Sequence, residues 1–142
     1  MGKDLCDVFP ESKKIFAAAD EALKFPLSKL CFDGPMEELK RTKNCQPAIF
    51  TASIAALEAF KTSSKYPASD IKYMAGLSLG EYTALVAVGA LSFKDGLYLV
   101  AQRATHNRQG HGEGDLAALD FQVFHHAQFH DVAVQLGVLH LL

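Results

Sequence analysis

Ser78 stands between two glycines in Gly76-Leu77-Ser78-Leu79-Gly80, and Glu81-Tyr82-Thr83-Ala84-Leu85 follows at once. Gly-x-Ser-x-Gly is the pattern of a serine nucleophile on a sharp strand-to-helix elbow, where the projecting hydroxyl attacks a carbonyl and forms an acyl-enzyme. Such a turn brings the chain before and after the serine close together, which gives both flanking glycines a steric reason to be there. The pentapeptide alone also fits an ordinary turn in which Ser78 only caps a helix. What decides between the two is the structure on either side.

Before the serine, Ile71-Lys72-Tyr73-Met74-Ala75 is rich in β-favouring residues, which predicts a strand. After it, Leu79, Tyr82 and Val86 recur at helical spacing, so the first free N–H groups of a helix face whatever Ser78 attacks. Further upstream, Pro10 and Glu11 suit the first turn of a helix carrying Ile15, Phe16, Ala19 and Leu23, and Pro26 ends it. Gly34-Pro35 opens a short surface helix with Glu37 and Glu38 early and Lys40, Arg41 and Lys43 late, matching the helix dipole. From Pro47, the residues Ile49, Ser53, Ala56, Leu57 and Phe60 predict a long alanine-rich helix able to lie close against a sheet, closing in the polar run 62–67. Gly89 is a natural stop for the elbow helix. Ser92-Phe93-Lys94-Asp95 matches a capping box, and Phe93, Leu97, Val100 and Ala104 form the apolar face of the helix it starts.

A chain of 142 residues, 49% of them apolar, fits one globular unit with a real core. A net charge of −2 without a basic stripe argues against nucleic acid as a partner. No apolar run is long enough to span a membrane, and the amino terminus lacks the apolar core of a secretory signal. A cytoplasmic protein is expected, with an organelle location open if the amino terminus is incomplete. The three cysteines, Cys6, Cys31 and Cys45, are odd in number and lack Cys-x-x-Cys spacing, so they read as free thiols filling small apolar sites. All six histidines lie beyond residue 105, and no lysine occurs after Lys94. That shift divides the chain into residues 1–105 and a His-rich tail, 106–142. In the tail, residues 110–114 read as loop, and the alternation at Leu119, Phe121 and Val123, then Val132, Val134, Leu136 and Val138, as a hairpin. His126 and His130 would share a helix face near His125 and Asp131, but clustered histidines without a motif rarely form a site, and no metal is expected.

Four segments in order carry a likeness to a known family: Gly34-Pro35-Met36-Glu37-Glu38-Leu39, Asn44-Cys45-Gln46-Pro47-Ala48, Gly76 to Leu85, and Asp95-Gly96-Leu97 leading to Arg103. With these the chain resembles the malonyl-CoA:acyl carrier protein transacylases of fatty acid synthesis and the acyltransferase domains of polyketide synthases, from about Met1 to Arg103. The resemblance implies an α/β fold, a partial α/β-hydrolase-like acyltransferase core. It implies that Ser78 accepts malonyl from malonyl-CoA and passes it to the phosphopantetheine thiol of acyl carrier protein, with no bound cofactor. The Leu79 N–H would be half of the oxyanion hole, Arg103 would bind the malonyl carboxylate, and Gln46 would border the site. A planar guanidinium suits that task, because it grips a carboxylate through two parallel charge-assisted hydrogen bonds.

Three departures accompany the likeness. The chain opens at Met1-Gly2-Lys3-Asp4-Leu5, which resembles the segment after the family's first strand and its Gly-Gln-Gly-x-Gln loop, so that strand and a second oxyanion donor are expected to be absent. Leu77 stands where many members have histidine, though others have leucine. The catalytic histidine, which in the family comes after a ferredoxin-like subdomain, is not identifiable, and residues from about 104 onward do not resemble the family. Other functions compatible with the elbow are a serine esterase and a non-catalytic remnant that binds acyl carrier protein or a coenzyme A thioester. A further alternative is a chain not stably folded on its own.

Overall fold

The computed structural model describes residues 1–63, 71 and 73–106. Their order is α1 (Lys3–Val8), α2 (Pro10–Leu23), α3 (Leu27–Asp33), α4 (Met36–Leu39), α5 (Thr42–Ser63), α6 (Leu79–Ala87) and α7 (Phe93–His106). α2 starts with Pro10 and Glu11 in its first turn and stops at Lys24, whose φ of 50° is left-handed. α3 is capped from a distance: the Asp20 carboxylate accepts a hydrogen bond from the Ser28 N–H at 2.8 Å. The N-terminal amine of Met1 donates to the Cys31 carbonyl, which ties the start of the chain to the third helix.

The short helix expected to run on to Lys43 ends instead at Leu39, and the long helix starts at Thr42 rather than Pro47. Asn44 explains the break. Its buried side-chain amide donates to the Glu38 carbonyl at 2.8 Å, while the N–H groups of Asn44 and Cys45 both turn to the Arg41 carbonyl at 2.8 Å. These bonds begin a new helix at that point. Pro47 therefore lies inside α5, where its missing N–H removes one helical hydrogen bond and its fully buried ring adds to the core.

α5 is the central helix, with α2, α6 and α7 packed around it. Phe16 from α2, Phe50 and Ile54 from α5, and Leu97 and Val100 from α7 form the middle of the core. Phe50 stacks on Phe93 with centroids 5.7 Å apart and planes 13° from parallel. Ser12 is buried because its hydroxyl donates to the Ala55 carbonyl at 2.7 Å, so α2 meets α5 through a satisfied polar contact. Gly96 allows α7 to come in close, since a Cβ there would stand 2.7 Å from Val86 Cγ2 and 2.9 Å from Phe50 Cζ. Cys31 belongs to this core and Cys6 packs against it, as their expected apolar role requires.

α6 ends as its sequence predicts. Gly89 takes a φ of 79°, the Ala90 N–H reaches the Leu85 carbonyl at 2.9 Å, and the Gly89 N–H reaches the Val86 carbonyl at 3.0 Å, which together form a Schellman motif. Half of the capping box expected at the start of α7 is seen: the Asp95 N–H donates to Ser92 Oγ at 3.1 Å, while the Asp95 carboxylate accepts from the Ser92 hydroxyl at 2.6 Å rather than from its backbone N–H. The strand predicted over 71–75 is not seen among the described residues. Residues 73–76 have no regular secondary structure, and every regular element among the described residues is helical. A strand exists only through its ladder to a neighbour, and no other described segment is extended beside this one; Tyr73 is accordingly 93% exposed. The sheet against which α5 was expected to lie is thus not seen among the described residues, and α5 packs on helices. The tail with its loop, hairpin and histidine pair lies outside the described residues, as does most of the polar run after Ser63.

Candidate active site

Ser78 is the residue before α6, with φ 57° and ψ −112°. A side chain holds such a conformation at a cost of about 1–3 kcal/mol, and it is common at sites where a group must be presented outward. The cause lies in Gly76. A Cβ on Gly76 would fall 2.0 Å from the Gly80 carbonyl carbon and 2.1 Å from its oxygen, so the chain can double back here only without a side chain. Gly80 does not share that role: a Cβ there would point into open space. Of the two flanking glycines expected to serve the close approach, one does.

Glu81 steadies the elbow by accepting a hydrogen bond from the Ser78 N–H at 3.0 Å. The N–H groups of Gly80 and Glu81 turn back to the Leu77 and Ser78 carbonyls at 3.0 and 3.1 Å. Leu79 supplies the first N–H of α6, a donor that a helix cannot pair internally. Ser78 itself is exposed, so its hydroxyl is accessible.

Arg103 comes to this serine from the far side of the core. α5 and α7 run antiparallel about the contact between Phe50 and Gly96, which puts Gln46, near the start of α5, beside Arg103, near the end of α7. Arg103 is only 7% exposed. Its Nη2 donates to Ser78 Oγ at 2.6 Å, and its Nη1 donates to Gln46 Oε1 at 3.4 Å. Its Cζ lies 5.8 Å from the centre of the Tyr82 ring, a cation–π distance. Nε is buried with no hydrogen-bond partner among the described residues. No carboxylate among the described residues forms an ion pair with this arginine. A buried cation without an anion is expensive to keep.

The structure therefore brings Ser78, Leu79, Gln46 and Arg103 together, although 57 residues separate Gln46 from Arg103. Two further residues, Tyr82 and Glu81, belong to the site without having been expected there. Tyr82 stands one helical turn beyond Ser78, and that spacing was the available signal for a ring beneath the site. All six histidine side chains are outside the described ones, and no group of three or more potential metal ligands exists among the described residues. An open apolar groove lined by Ile49, Leu57, Met74, Leu79 and Thr83 runs along α6, but it includes none of Ser78, Gln46 and Arg103.

A serine on a glycine-tight elbow thus lies against a buried arginine that has no ion-pair partner among the described residues. The acyl transferase domain family matches residues 1–138, and the chain belongs to that family. This match continues past Arg103, where the motif-based likeness ended. Among the chain's relatives, a malonyl CoA-acyl carrier protein transacylase of Bacillus subtilis (strain 168) is 50% identical over 121 residues, which are 84% of this chain and 37% of the relative. The crystal structure of an acyl carrier protein S-malonyltransferase from Vibrio cholerae superimposes with a TM-score of 0.70 at 37% identity, over 79% of this chain and 36% of that one. A type II polyketide synthase acyl carrier protein in complex with its malonyl-transacylase gives a TM-score of 0.65 at 40% identity, over 74% of this chain and 33% of that one. The described fold is part of an acyltransferase fold, and the chain spans between a quarter and two fifths of the length of the curated relatives it matches.

Proposed function

We propose that this chain carries the nucleophile and the carboxylate-binding half of a malonyl-CoA:acyl carrier protein transacylase site, on an α/β acyltransferase core of which the helices are described. The observation that supports it best is the buried Arg103 guanidinium, without an ion-pair partner among the described residues, 2.6 Å from the elbow hydroxyl. Malonyl-CoA offers a thioester carbonyl for Ser78 and, two carbons away, a free carboxylate for Arg103. In the acylation step the Ser78 Oγ–carbon bond forms and the carbon–sulfur bond breaks. The electron pair leaves with the sulfur, and the serine proton ends on the coenzyme A thiol. The Leu79 N–H stabilises the oxyanion in between. In the second half the phosphopantetheine thiol of an acyl carrier protein attacks the malonyl-serine ester, and Ser78 recovers its proton.

An unassisted hydroxyl is a weak nucleophile, so a base must take the Ser78 proton. No described side chain is a histidine, and that base comes from outside the described residues. No described helix is long and apolar enough to cross a membrane; we assign the activity to the cytoplasm. The test is intact mass after exposure to malonyl-CoA. One malonyl group should be gained by the native chain and none by Ser78→Ala. An adduct that persists in Ser78→Ala refutes the assignment of the nucleophile, and binding without any adduct refutes turnover by this chain. Hydrolysis of simple esters with no preference for a carboxylate-bearing acyl group would instead make it an esterase.

A further inference from the structure

We infer that Glu81 is a positioning residue for the nucleophile: the oxygen of its side chain, rather than its charge, holds Ser78 in the conformation from which Oγ attacks. This rests on the acyl-transfer reading of Ser78 and deepens it by naming what aims the hydroxyl. The direction of a backbone N–H is set by φ and that of a C=O by ψ, and at Ser78 both groups bond to Glu81. The Ser78 N–H donates to Glu81 Oε1 at 3.0 Å, and the Ser78 carbonyl accepts from the Glu81 N–H at 3.1 Å. Together the two bonds clamp the serine at its φ of 57° and ψ of −112°. A serine in the N-cap position is ordinarily extended instead, and strain of this kind persists only where the surroundings over-determine it. Without an acceptor for its N–H, Ser78 relaxes toward the extended region, and Cβ and Oγ turn with the backbone.

A second serine in the same chain shows why the acceptor has to sit on a side chain of this length. Ser92 and Asp95 hold the same two positions at the start of α7, but there the carboxylate takes the serine hydroxyl, at 2.6 Å, and not the backbone N–H. That hydroxyl serves the helix. One more methylene lets Glu81 reach the N–H, which leaves the hydroxyl hydrogen of Ser78 to a base from elsewhere. The Glu81 backbone is fixed besides, since a Cβ on Gly76 would stand 2.7 Å from its nitrogen and the chain before the serine lies against it. The charge of the carboxylate acts the other way. It suits the positive end of α6, but it repels the negative charge that develops on the attacked carbonyl oxygen beside the Leu79 N–H. Acceptor and charge thus have opposite effects on acylation. Glutamine keeps the first without the second, whereas aspartate keeps the second and, as at Asp95, loses the first.

The test compares the full native chain with Glu81→Gln, Glu81→Asp and Glu81→Ala, each checked for a native far-UV circular dichroism spectrum. Malonyl-Ser78 is followed by intact mass at increasing malonyl-CoA, which separates the saturating rate from the half-saturating concentration. The saturating rate should fall about 100-fold in Glu81→Asp and Glu81→Ala, the loss expected for a reacting group misplaced by about 1 Å. The half-saturating concentration should stay within about twofold of native, and Glu81→Gln should rescue the rate to within about threefold. Equal rates in all folded variants overturn positioning and leave Glu81 a helix cap only. A rate for Glu81→Gln as low as for Glu81→Ala, or below that for Glu81→Asp, overturns it in favour of a required charge, and faster labelling in both Glu81→Gln and Glu81→Ala overturns it in favour of a hindering one. In each of these cases malonylation of the native chain leaves the transacylase reading standing. If Glu81→Ala does not fold, the pair Glu81→Gln and Glu81→Asp decides. If native Ser78 takes no malonyl group, that reading falls, and positioning is judged by hydrogen exchange of the Ser78 amide in the 15N-labelled chains. Exchange should be slow in the native chain and Glu81→Gln and fast in Glu81→Asp; equal exchange in all three overturns positioning.

Discussion

Replacing Gly76 with alanine tests whether the elbow owes its shape to one missing side chain. The new Cβ would stand 2.0 Å from the Gly80 carbonyl carbon and 2.7 Å from the Glu81 nitrogen. Carbon atoms rest about 3.5–4.0 Å apart, so the two backbones must separate by about 1.5 Å. Both obstacles are backbone, and no rotamer change relieves them. Overpacking of this kind costs about 1–3 kcal/mol. Because Gly76 and Leu77 are exposed, part of that cost is avoided when the segment swings outward. The displacement then falls on Ser78 itself, and a misplacement of about 1 Å at a reacting group lowers rate about 100-fold. Gly80→Ala is the matched control. Its Cβ meets open space in the first turn of α6, and it is expected to be neutral or to stabilise by up to about 1 kcal/mol. Urea titration by far-UV circular dichroism reads the change in stability, and malonyl labelling reads the placement of Ser78. Equal midpoints and equal labelling for native chain and Gly76→Ala would refute the reasoning, as would a cost for Gly80→Ala as large as that for Gly76→Ala.

Three further perturbations probe the scaffold. Phe50→Ala empties the fully buried position between α5 and α7 and should cost about 3–5 kcal/mol in urea titration; a loss below about 1 kcal/mol would show that the described core is not the one that holds the fold. Lys24→Gly relieves a left-handed φ of 50° at the end of α2 and should stabilise the chain by up to about 1 kcal/mol, seen as a higher melting temperature; a lower one contradicts the cap geometry. Burial pushes the Cys31 thiol up from 9.0 to about 11. A raised folded-state value favours the protonated form, so this contribution to stability is whole below about pH 9 and is lost as pH rises toward about 11. The native chain should therefore lose stability more steeply than Cys31→Ala over that interval, and parallel pH profiles of the two would contradict the burial of the thiol.

Where a structural feature depends on near neighbours, the sequence was a sufficient guide. Pro10 with Glu11, Gly89, and Ser92 with Asp95 mark helix ends through hydrogen bonds spanning a few residues, and the structure forms each of them. The same holds for the elbow, since Gly76 and Gly80 meet within five residues of chain. Two local predictions failed because a longer-range bond or a missing neighbour outweighed propensity. Asn44 reaches back to Glu38 and starts α5 early. Residues 73–76 favour a strand yet lack a described strand to pair with.

By itself, the sequence determined which serine is the candidate nucleophile, that Gly76 permits its turn, and where α2, α6 and α7 begin or end, because those rest on contacts a few residues apart; α1 and α3 were not foreseen. Arg103, read alone, would be one more arginine on a helix. Its burial, its missing counter-charge among the described residues and its hydrogen bond to a serine 25 residues away were decided by α5, α6 and α7 closing around Phe50 and Gly96. Only packing at that range fixes the few ångströms that separate a solvated cation from a guanidinium held against the elbow serine.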